Sequence, residues 1–293
     1  MKLLILGCNG QLGRCLLDRL DKTGYSVTAL GKEELDIGDL AATNELISKI
    51  RPDVLINASA YTAVDAAENN QNLANHINNV AVANLAECCL KNDIYLIHIS
   101  TDYVFDGVAE MPYKESDNVN PQSVYGRTKL SGEISIESSG CRYIIIRTAW
   151  IFSEYGNNFL KTMIRLGSEK KELSIVGDQI GCPTYGGDLA KAIIKIIPIA
   201  KTSQSLGIYH YSGAIPCTWL YFATQIFDAA KGMGFNTPLV LKEITTSDFP
   251  TPAKRPRYSV LDNSKIISKF NVQSSDWFSG IKTSLINLEK RRH

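Results

Sequence analysis

The stretch Lys2-Leu3-Leu4-Ile5-Leu6-Gly7-Cys8-Asn9-Gly10-Gln11-Leu12-Gly13, at the start of a 293-residue chain, decides the fold. A short apolar run opens straight into three glycines and then into a helix-forming stretch, which reads as a buried strand, a tight turn and a helix. The spacing is G-x-x-G-x-x-G, a departure from G-x-G-x-x-G, yet its physical demands are similar. They are a tight turn, close approach of backbone to a pyrophosphate, and close packing of helix on strand. Amides at the start of a helix have no partner within it, so they can hold phosphate. Gly7, Gly10, Gln11, Leu12 and Gly13 are therefore candidate dinucleotide contacts, with a plain turn as the alternative.

Outward from this stretch the pattern repeats. Short apolar, β-branched runs at Lys2–Leu6, Ser26–Leu30, Asp53–Asn57, Ile94–Ser100 and Arg142–Thr148 alternate with helical stretches at Gln11–Lys22, Leu40–Ile50, Asn72–Leu90 and Ser123–Ile136. That alternation predicts an α/β fold, a Rossmann-type doubly wound parallel sheet built from βαβ units. Runs such as VLIN and YLIHIS are apolar almost throughout, as strands are when helices cover both faces. After Thr148 the pattern loosens. Helices near 158–168, 187–197 and 276–290 and a strand near 173–176 lie between Gly/Pro-rich loops such as FPTPAKRPRY. We expect residues 1–150 to form the dinucleotide-binding domain and 151–293 mainly a smaller C-terminal substrate-binding lobe, with some segments returning to the sheet.

With 31 Lys+Arg against 30 Asp+Glu and 44% hydrophobic residues, the chain carries no global field. Neither nucleic acid nor a membrane surface is an expected partner. The seven cysteines are an odd number with no C-x-x-C pair, which argues against a disulfide framework or a zinc site and for a cytoplasmic protein. The first apolar run is too short for a signal peptide or a membrane span.

Tyr125-Gly126-Arg127-Thr128-Lys129 places a phenol and an ammonium four residues apart, on one face if the stretch is helical. A cation beside a phenol lowers its pKa and makes it a usable acid near neutrality. Upstream, Ser100-Thr101-Asp102-Tyr103-Val104-Phe105 ends the fourth strand, and carboxyl ends of strands are where open α/β sheets hold ligands. Its hydroxyls suit a substrate oxygen; a strand-ending turn capped by Asp102 is the plain alternative. The second strand ends Ala29-Leu30-Gly31-Lys32, with no acid at its tip and Glu33 and Glu34 just beyond; Lys32 suits a 2′-phosphate and so NADPH over NADH, with a solvated loop charge as the alternative.

Together with NASAYTAVDAAE (57–68), RTAW (147–150), GNNF (156–159), DQIGCPT (178–184) and Arg255-Pro256, these segments resemble the dTDP-4-dehydrorhamnose reductase family of the extended short-chain dehydrogenase/reductase superfamily. The resemblance runs over nearly the whole chain. It implies reduction of the C4 keto group of a dTDP-sugar in dTDP-rhamnose biosynthesis, a route that feeds surface polysaccharides such as lipopolysaccharide O-antigen. It implies further that Gly10, Gln11 and Leu12 lie on the pyrophosphate, Asp36 and Ile37 beside the adenine, and Ala60, Tyr61 and Thr62 along the middle of the dinucleotide. Tyr125 would be the proton donor, and Lys129 would hold the nicotinamide ribose and lower the phenol's pKa. Thr101 and Asp102 would hold the sugar near its reacting carbon, and Trp150 would pack on it. Arg255, Asn158 and Phe159 would meet the nucleotide. Core packing, helix capping and a solvated loop charge are the respective alternatives for Trp150, Asn158 and Arg255. Some relatives carry a glutamate two residues after the last glycine and use it in a metal-bridged homodimer. Here that position is Cys15, so neither Mg2+ nor that dimer mode is expected.

Two rival readings stay open from sequence: a reductase or epimerase of another nucleotide sugar, and a non-catalytic NAD(P)-binding regulatory subunit. A tuned phenol favours an enzyme. His98, inside an apolar strand, reads as a satisfied core histidine, and His76 and His210 lack partners at any recognisable spacing. Cys8, in the glycine loop, is a candidate for thiol-reagent sensitivity but lacks a paired base for nucleophilic work.

Overall fold

The structure is a computed structural model and describes residues 1–21, 23–199 and 206–291. The first half alternates as the periodicity predicts: β1 (Lys2–Leu6), α1 (Gln11–Leu20), β2 (Ser26–Leu30), α2 (Leu40–Ile50) and β3 (Val54–Asn57). There follow two short helices, α3 (Val64–Asn69) and α4 (Gln71–Asn75), then α5 (Ala81–Lys91), β4 (Tyr95–Thr101), α6 (Val124–Ser139) and β5 (Arg142–Thr148). The predicted helix 11–22 stops at Leu20, and its last residue, Lys22, lies outside the described residues. The single helix expected over 72–90 is interrupted by a π turn at His76–Val80, which holds the buried Asn78 between α6 and the segment after β3. Such wide turns are commonly found at functional sites.

The second half holds β6 (Ile151–Phe152), α7 (Phe159–Glu169), β7 (Glu172–Val176), β8 (Ile180–Gly181), β9 (Thr184–Tyr185) and α8 (Gly186–Ile196). It continues with β10 (Gly207–His210), β11 (Cys217–Thr218), α9 (Trp219–Lys231), β12 (Val240–Ile244), α10 (Ser264–Phe270) and α11 (Trp277–Lys290). Helix α9 escapes the sequence reading because its WLYFATQIF run mixes aromatic and β-branched residues, poor markers of a helical stripe.

Six strands form one parallel sheet in the order β10-β5-β4-β3-β1-β2. From β1 the chain moves outward to β2 and then crosses back to β3 on the other side. The crevice at the carboxyl ends of β1 and β3 is therefore the topological switch point where such sheets bind nucleotides. Successive residues of each strand enter opposite cores. Leu3, Ile5, Val54, Ile56, Ile97 and Ile144 join α1 and α8 on one face, and Leu4, Leu6, Leu55, Leu96 and Ile145 join α2 and α5 on the other. A third cluster, around Phe152, Leu160, Phe222, Trp277 and Ile281, lies entirely within the second half. Strand β10 and helix α8 nevertheless pack on the first sheet, so the chain after residue 150 contributes to both bodies.

Candidate active site

A cleft of about 820 Å³ opens at the carboxyl ends of the strands. Its lining includes Gly7, Gly10, Gln11 and Leu12 from the glycine turn, Asp36 and Ile37 after β2, and Ala60, Tyr61 and Thr62 after β3. Thr101 and Asp102 after β4, Tyr125 and Lys129 from α6, and Trp150 after β5 complete the set. Of the residues predicted to touch ligands, Gly13, Asn158, Phe159 and Arg255 do not line it.

The glycine turn shows which position does what. Gly7 has φ +79, the left-handed region, and a Cβ there would come within 2.8 Å of the Ala58 and Ser59 backbone. A Cβ on Gly13 would sit 2.3 Å from the Gly7 carbonyl, so this glycine serves close packing of α1 on the turn and leaves the cleft to its neighbours. Gly10 caps α1 without any side-chain bond, and the first bond of the helical ladder runs from the Arg14 amide to the Gly10 carbonyl. The amides before it lie at the positive end of the helix, beside the cleft, and suit an anion.

At the tip of β2 the Glu34 carboxylate folds back to accept the Gly31 amide at 2.8 Å. It does not line the cleft, whereas Lys32 does. Lys32 is mostly exposed and stands 3.7 Å from Asp36, whose other carboxylate oxygen accepts the Gly38 amide at 2.9 Å. The segment after β3 is latched by Asn78 of the π turn. Its side chain accepts the Tyr61 amide at 2.9 Å and donates to the Tyr61 carbonyl at 3.2 Å and the Thr128 hydroxyl at 3.1 Å. The sequence gives no sign of this role, because a lone asparagine within a helical pattern has no spacing signature.

Helix α6 starts at Ser123, whose hydroxyl accepts the Gly126 amide at 3.1 Å, and presents Tyr125 and Lys129 on the face toward β4. Burial pushes the Tyr125 phenol above its usual range, opposed by the neighbouring Thr101 hydroxyl. The Tyr103 ring meets Tyr125 edge-on, with centroids 5.5 Å apart. Thr101 accepts the Tyr103 amide at 3.2 Å and donates to Asp102 Oδ1 at 3.0 Å, so Thr101 rather than Asp102 caps the strand-ending turn. Asp102 is only 2% exposed, its Oδ2 has no hydrogen-bond partner, and burial raises its carboxyl to about 6. Thr148 Oγ1, also buried and also on the cleft wall, is unpartnered too. Buried polar atoms without partners are costly, and here they sit where a polyhydroxylated ligand would satisfy them.

The tuning of Tyr125 expected from Lys129 is absent from this arrangement. Lys129 Nζ lies 2.7 Å from the Ile99 carbonyl and 3.2 Å from His98 Nε2, and burial lowers its ammonium to about 8, opposed by Glu133. Glu133 accepts from the Ser100 hydroxyl and from Arg147, whose Nη2 lies 2.6 Å away in a fully buried pair. Arg147 in turn stands over the Phe105 ring and beside His210. His210 and His76 do have partners, the Tyr113 and Gly38 carbonyls, supplied across the fold rather than by local spacing.

Trp150 takes a left-handed backbone, φ +46, and stacks on Trp219 with centroids 3.4 Å apart. Trp219 is held by a 3.1 Å bond from its indole N–H to Gln179 Oε1. Asn158 caps α7 and donates to Gln11 Oε1 at 2.9 Å, and Phe159 packs on Trp219 with centroids 4.6 Å apart. Arg255 pairs with Asp65 at 2.7 Å and lies 3.4 Å from the Tyr103 hydroxyl. Asn158 and Arg255 stand immediately behind the cleft residues Gln11 and Tyr103, and Phe159 stands one ring further back, behind Trp219. All seven cysteines are buried and unpaired, and burial raises the Cys8 thiol and pushes Cys15 up to about 12, the direction that quenches thiol reactivity.

A glycine turn at the switch point of a parallel sheet, faced across one cleft by a Tyr–Lys helix, defines a Rossmann-type oxidoreductase of the short-chain dehydrogenase/reductase kind. The model of the RmlD substrate binding domain family matches residues 1–290. A dTDP-4-dehydrorhamnose reductase of Aggregatibacter actinomycetemcomitans is 45% identical over 286 residues, covering 96% of this chain and 97% of that one. The crystal structure of a dTDP-4-dehydrorhamnose reductase from Clostridium acetobutylicum superposes with a TM-score of 0.91 at 40% identity, covering 99% of this chain and all of that one. Another, from Bacillus anthracis in complex with NADP, gives 0.90 at 37% identity, with 98% and 99% covered. The chain belongs to the dTDP-4-dehydrorhamnose reductase family, whose members are NAD(P)H-dependent oxidoreductases. No helix among the described residues is long and apolar enough to cross a membrane.

Proposed function

We propose that the chain reduces the C4 keto group of dTDP-4-dehydro-L-rhamnose to dTDP-L-rhamnose, with Tyr125 as proton donor. The observation that carries this reading is the single cleft that joins free helix-end amides at one end to Tyr125, Thr101 and Asp102 at the other. NADPH, when bound, supplies the hydride that reaches C4. The chain's own residues do the rest. Gly10, Gln11 and Leu12 hold the pyrophosphate, and Asp36 and Ile37 flank the adenine. Ala60, Tyr61 and Thr62 support the middle of the dinucleotide, while Lys129 holds the nicotinamide ribose. Lys32, facing the cleft while Glu34 is turned onto Gly31, favours a 2′-phosphate and hence NADPH over NADH.

A phenol is protonated at neutral pH and burial holds Tyr125 further in that form, so it arrives as an acid and gives its proton to the oxygen that becomes the C4 hydroxyl. Thr101 and Asp102 orient that oxygen, with the unpartnered Asp102 Oδ2 available to a sugar hydroxyl. Trp150 packs on the sugar face from its stack with Trp219. Asn158 and Phe159 act from behind, through Gln11 and Trp219, and Arg255 from the rim beside Tyr103. Residues 151–293 form the substrate-recognising lobe in this reading. Cys15 at the glutamate position removes the carboxylate that the metal-bridged dimer of some relatives uses, so neither that contact nor a Mg2+ requirement through it is expected.

Steady-state assay of the purified chain with NADPH and the keto sugar, with chiral analysis of the product, tests the reaction. Tyr125→Phe should bind NADPH normally and lose turnover by on the order of a hundredfold or more. Near-normal turnover would sink the donor assignment, and a different product stereochemistry would favour an epimerase or another reductase. Quenching of NADPH fluorescence without any oxidation would favour a non-catalytic binding subunit.

A further inference from the structure

His98 is fully buried in β4, directly opposite Asn57 of β3 in the parallel register. Its Nδ1 lies 3.1 Å from Asn57 Nδ2 and its Nε2 lies 3.2 Å from Lys129 Nζ. The Asn57 amide cannot be turned over. Its Oδ1 accepts the Ser59 backbone amide at 3.0 Å, so the NH2 end must face the ring. An NH2 group only donates, so His98 Nδ1 must accept. A neutral imidazole that accepts at Nδ1 carries its proton on Nε2. That N–H points at Lys129.

An ammonium has three donors and no acceptor, so a charged Lys129 would set hydrogen against hydrogen across this contact. A doubly protonated ring fares no better, because it would face the Asn57 NH2 with an N–H. One state suits both ring nitrogens and the Ile99 carbonyl: Lys129 as a neutral amine, its lone pair accepting the His98 Nε2–H while one of its hydrogens goes to the Ile99 carbonyl at 2.7 Å.

We propose that His98, oriented by Asn57, is a positioning residue that seats Lys129 as a neutral amine in the free protein at mildly alkaline pH. Protonation of Lys129 breaks the seat and turns the ammonium toward Tyr125 and the ligand in the cleft. The inference rests on the cofactor role of Lys129 stated above. The balance is simple: one proton moves from solvent to Lys129 Nζ, and no other group changes charge. The groups set against Lys129 are His98 and the Ile99 carbonyl from β4 and Glu133 from its own helix, while Tyr125 and Asp102 line the same cleft. Glu133 is already engaged by Arg147 and the Ser100 hydroxyl. Burial outweighs the Glu133 charge, so the amine is well populated once pH exceeds about 8.

Ring 15N shifts of the histidines in the ligand-free full chain, with His98 assigned from His98→Gln, read the seat directly. A protonated Nε2 and bare Nδ1 at pH 8.5 are expected. The opposite tautomer or a doubly protonated ring would overturn the proposal. Release is read by calorimetric titration with NADPH in two buffers of different ionisation enthalpy. Proton uptake on binding should rise from pH 7 to pH 9. Asn57→Asp offers Nδ1 an acceptor, reverses the tautomer and lets Nε2 receive an ammonium, so it should cut the uptake at pH 9 at least twofold. Equal uptake in variant and parent would overturn the coupling. If the variant does not fold, the tautomer of the parent still decides. Absence of NADPH binding with the expected tautomer would overturn the cofactor reading and the release step while leaving the seat in place.

Discussion

The two ends of the cleft are built from different materials. The dinucleotide end is mainly backbone: a left-handed Gly7, a packing Gly13 and the bare amides of α1, all within a dozen residues of the chain. The sugar end is side chains drawn from β4, α6 and β5, held by buried polar bonds that span the sheet. A backbone site binds any ligand with the right phosphates, because every residue type supplies the same N–H. A side-chain site selects, but each of its members must be desolvated and held, so it depends on distant partners.

The largest expected effect tests that dependence. Glu133 and Arg147 are a buried ion pair, 0% and 3% exposed, joining α6 to β5 beneath Lys129. Glu133→Gln leaves the guanidinium buried without its counter-charge, which costs about 3–5 kcal/mol by the usual behaviour of broken buried pairs. Urea unfolding at pH 7 measures it. A loss below about 1 kcal/mol would show that the sugar end does not hang on this pair.

Next in size is a pH effect at Asp102. Burial raises its carboxyl from 3.8 to about 6, so between those values the native state keeps a proton that the unfolded chain loses. Stability therefore falls as pH rises through that window and levels off above about 6. A shift of two units corresponds to on the order of 3 kcal/mol. Asp102→Asn should abolish this slope and be the more stable protein at pH 7, by on the order of 1–3 kcal/mol, while turning over more slowly. Parallel stability curves for parent and variant between pH 4 and 7 would contradict it. The gain would mark Asp102 as a residue kept for its chemistry at a cost to the fold.

The same contrast explains what could be read from the sequence. The strands Lys2–Leu6, Ser26–Leu30 and Arg142–Thr148 lie where the sequence pattern put them; in the first and last the buried apolar run of a strand covered on both faces is the signal, whereas Ser26–Leu30 is an edge strand marked by its β-branched residues between turns. The glycine turn and the Tyr125/Lys129 pair were legible because their geometry is local. The latch of Asn78 on Tyr61, the seat of Lys129 on His98 and the pairing of Arg255 with Asp65 were not, since their partners lie 17, 31 and 190 residues apart. His98 shows the limit most clearly. Its burial followed from an apolar neighbourhood, but its contact with Lys129 needed the register of β3 on β4 and the phase of α6. Asn158 and Phe159 mark the reverse case, where a motif carries residues that shape the site from behind through Gln11 and Trp219.

The smallest effect sharpens the comparison at the dinucleotide end, where one side chain is asked to discriminate. Lys32 is mostly exposed and shares its charge with Asp36 at 3.7 Å, so its attraction for a 2′-phosphate is screened by solvent and salt. Lys32→Ala should raise the KM for NADPH roughly three- to tenfold at low ionic strength and leave that for NADH unchanged, with the difference shrinking as salt is added. Equal changes with both cofactors would place Lys32 outside the 2′ site. In that case the glycine turn would be a binder indifferent to the 2′ position, and Glu34, drawn off its amide at Gly31, would be the next residue to replace. A selective loss would instead show that even the backbone-built end takes its one element of discrimination from a side chain, at a site where exposure keeps the effect small.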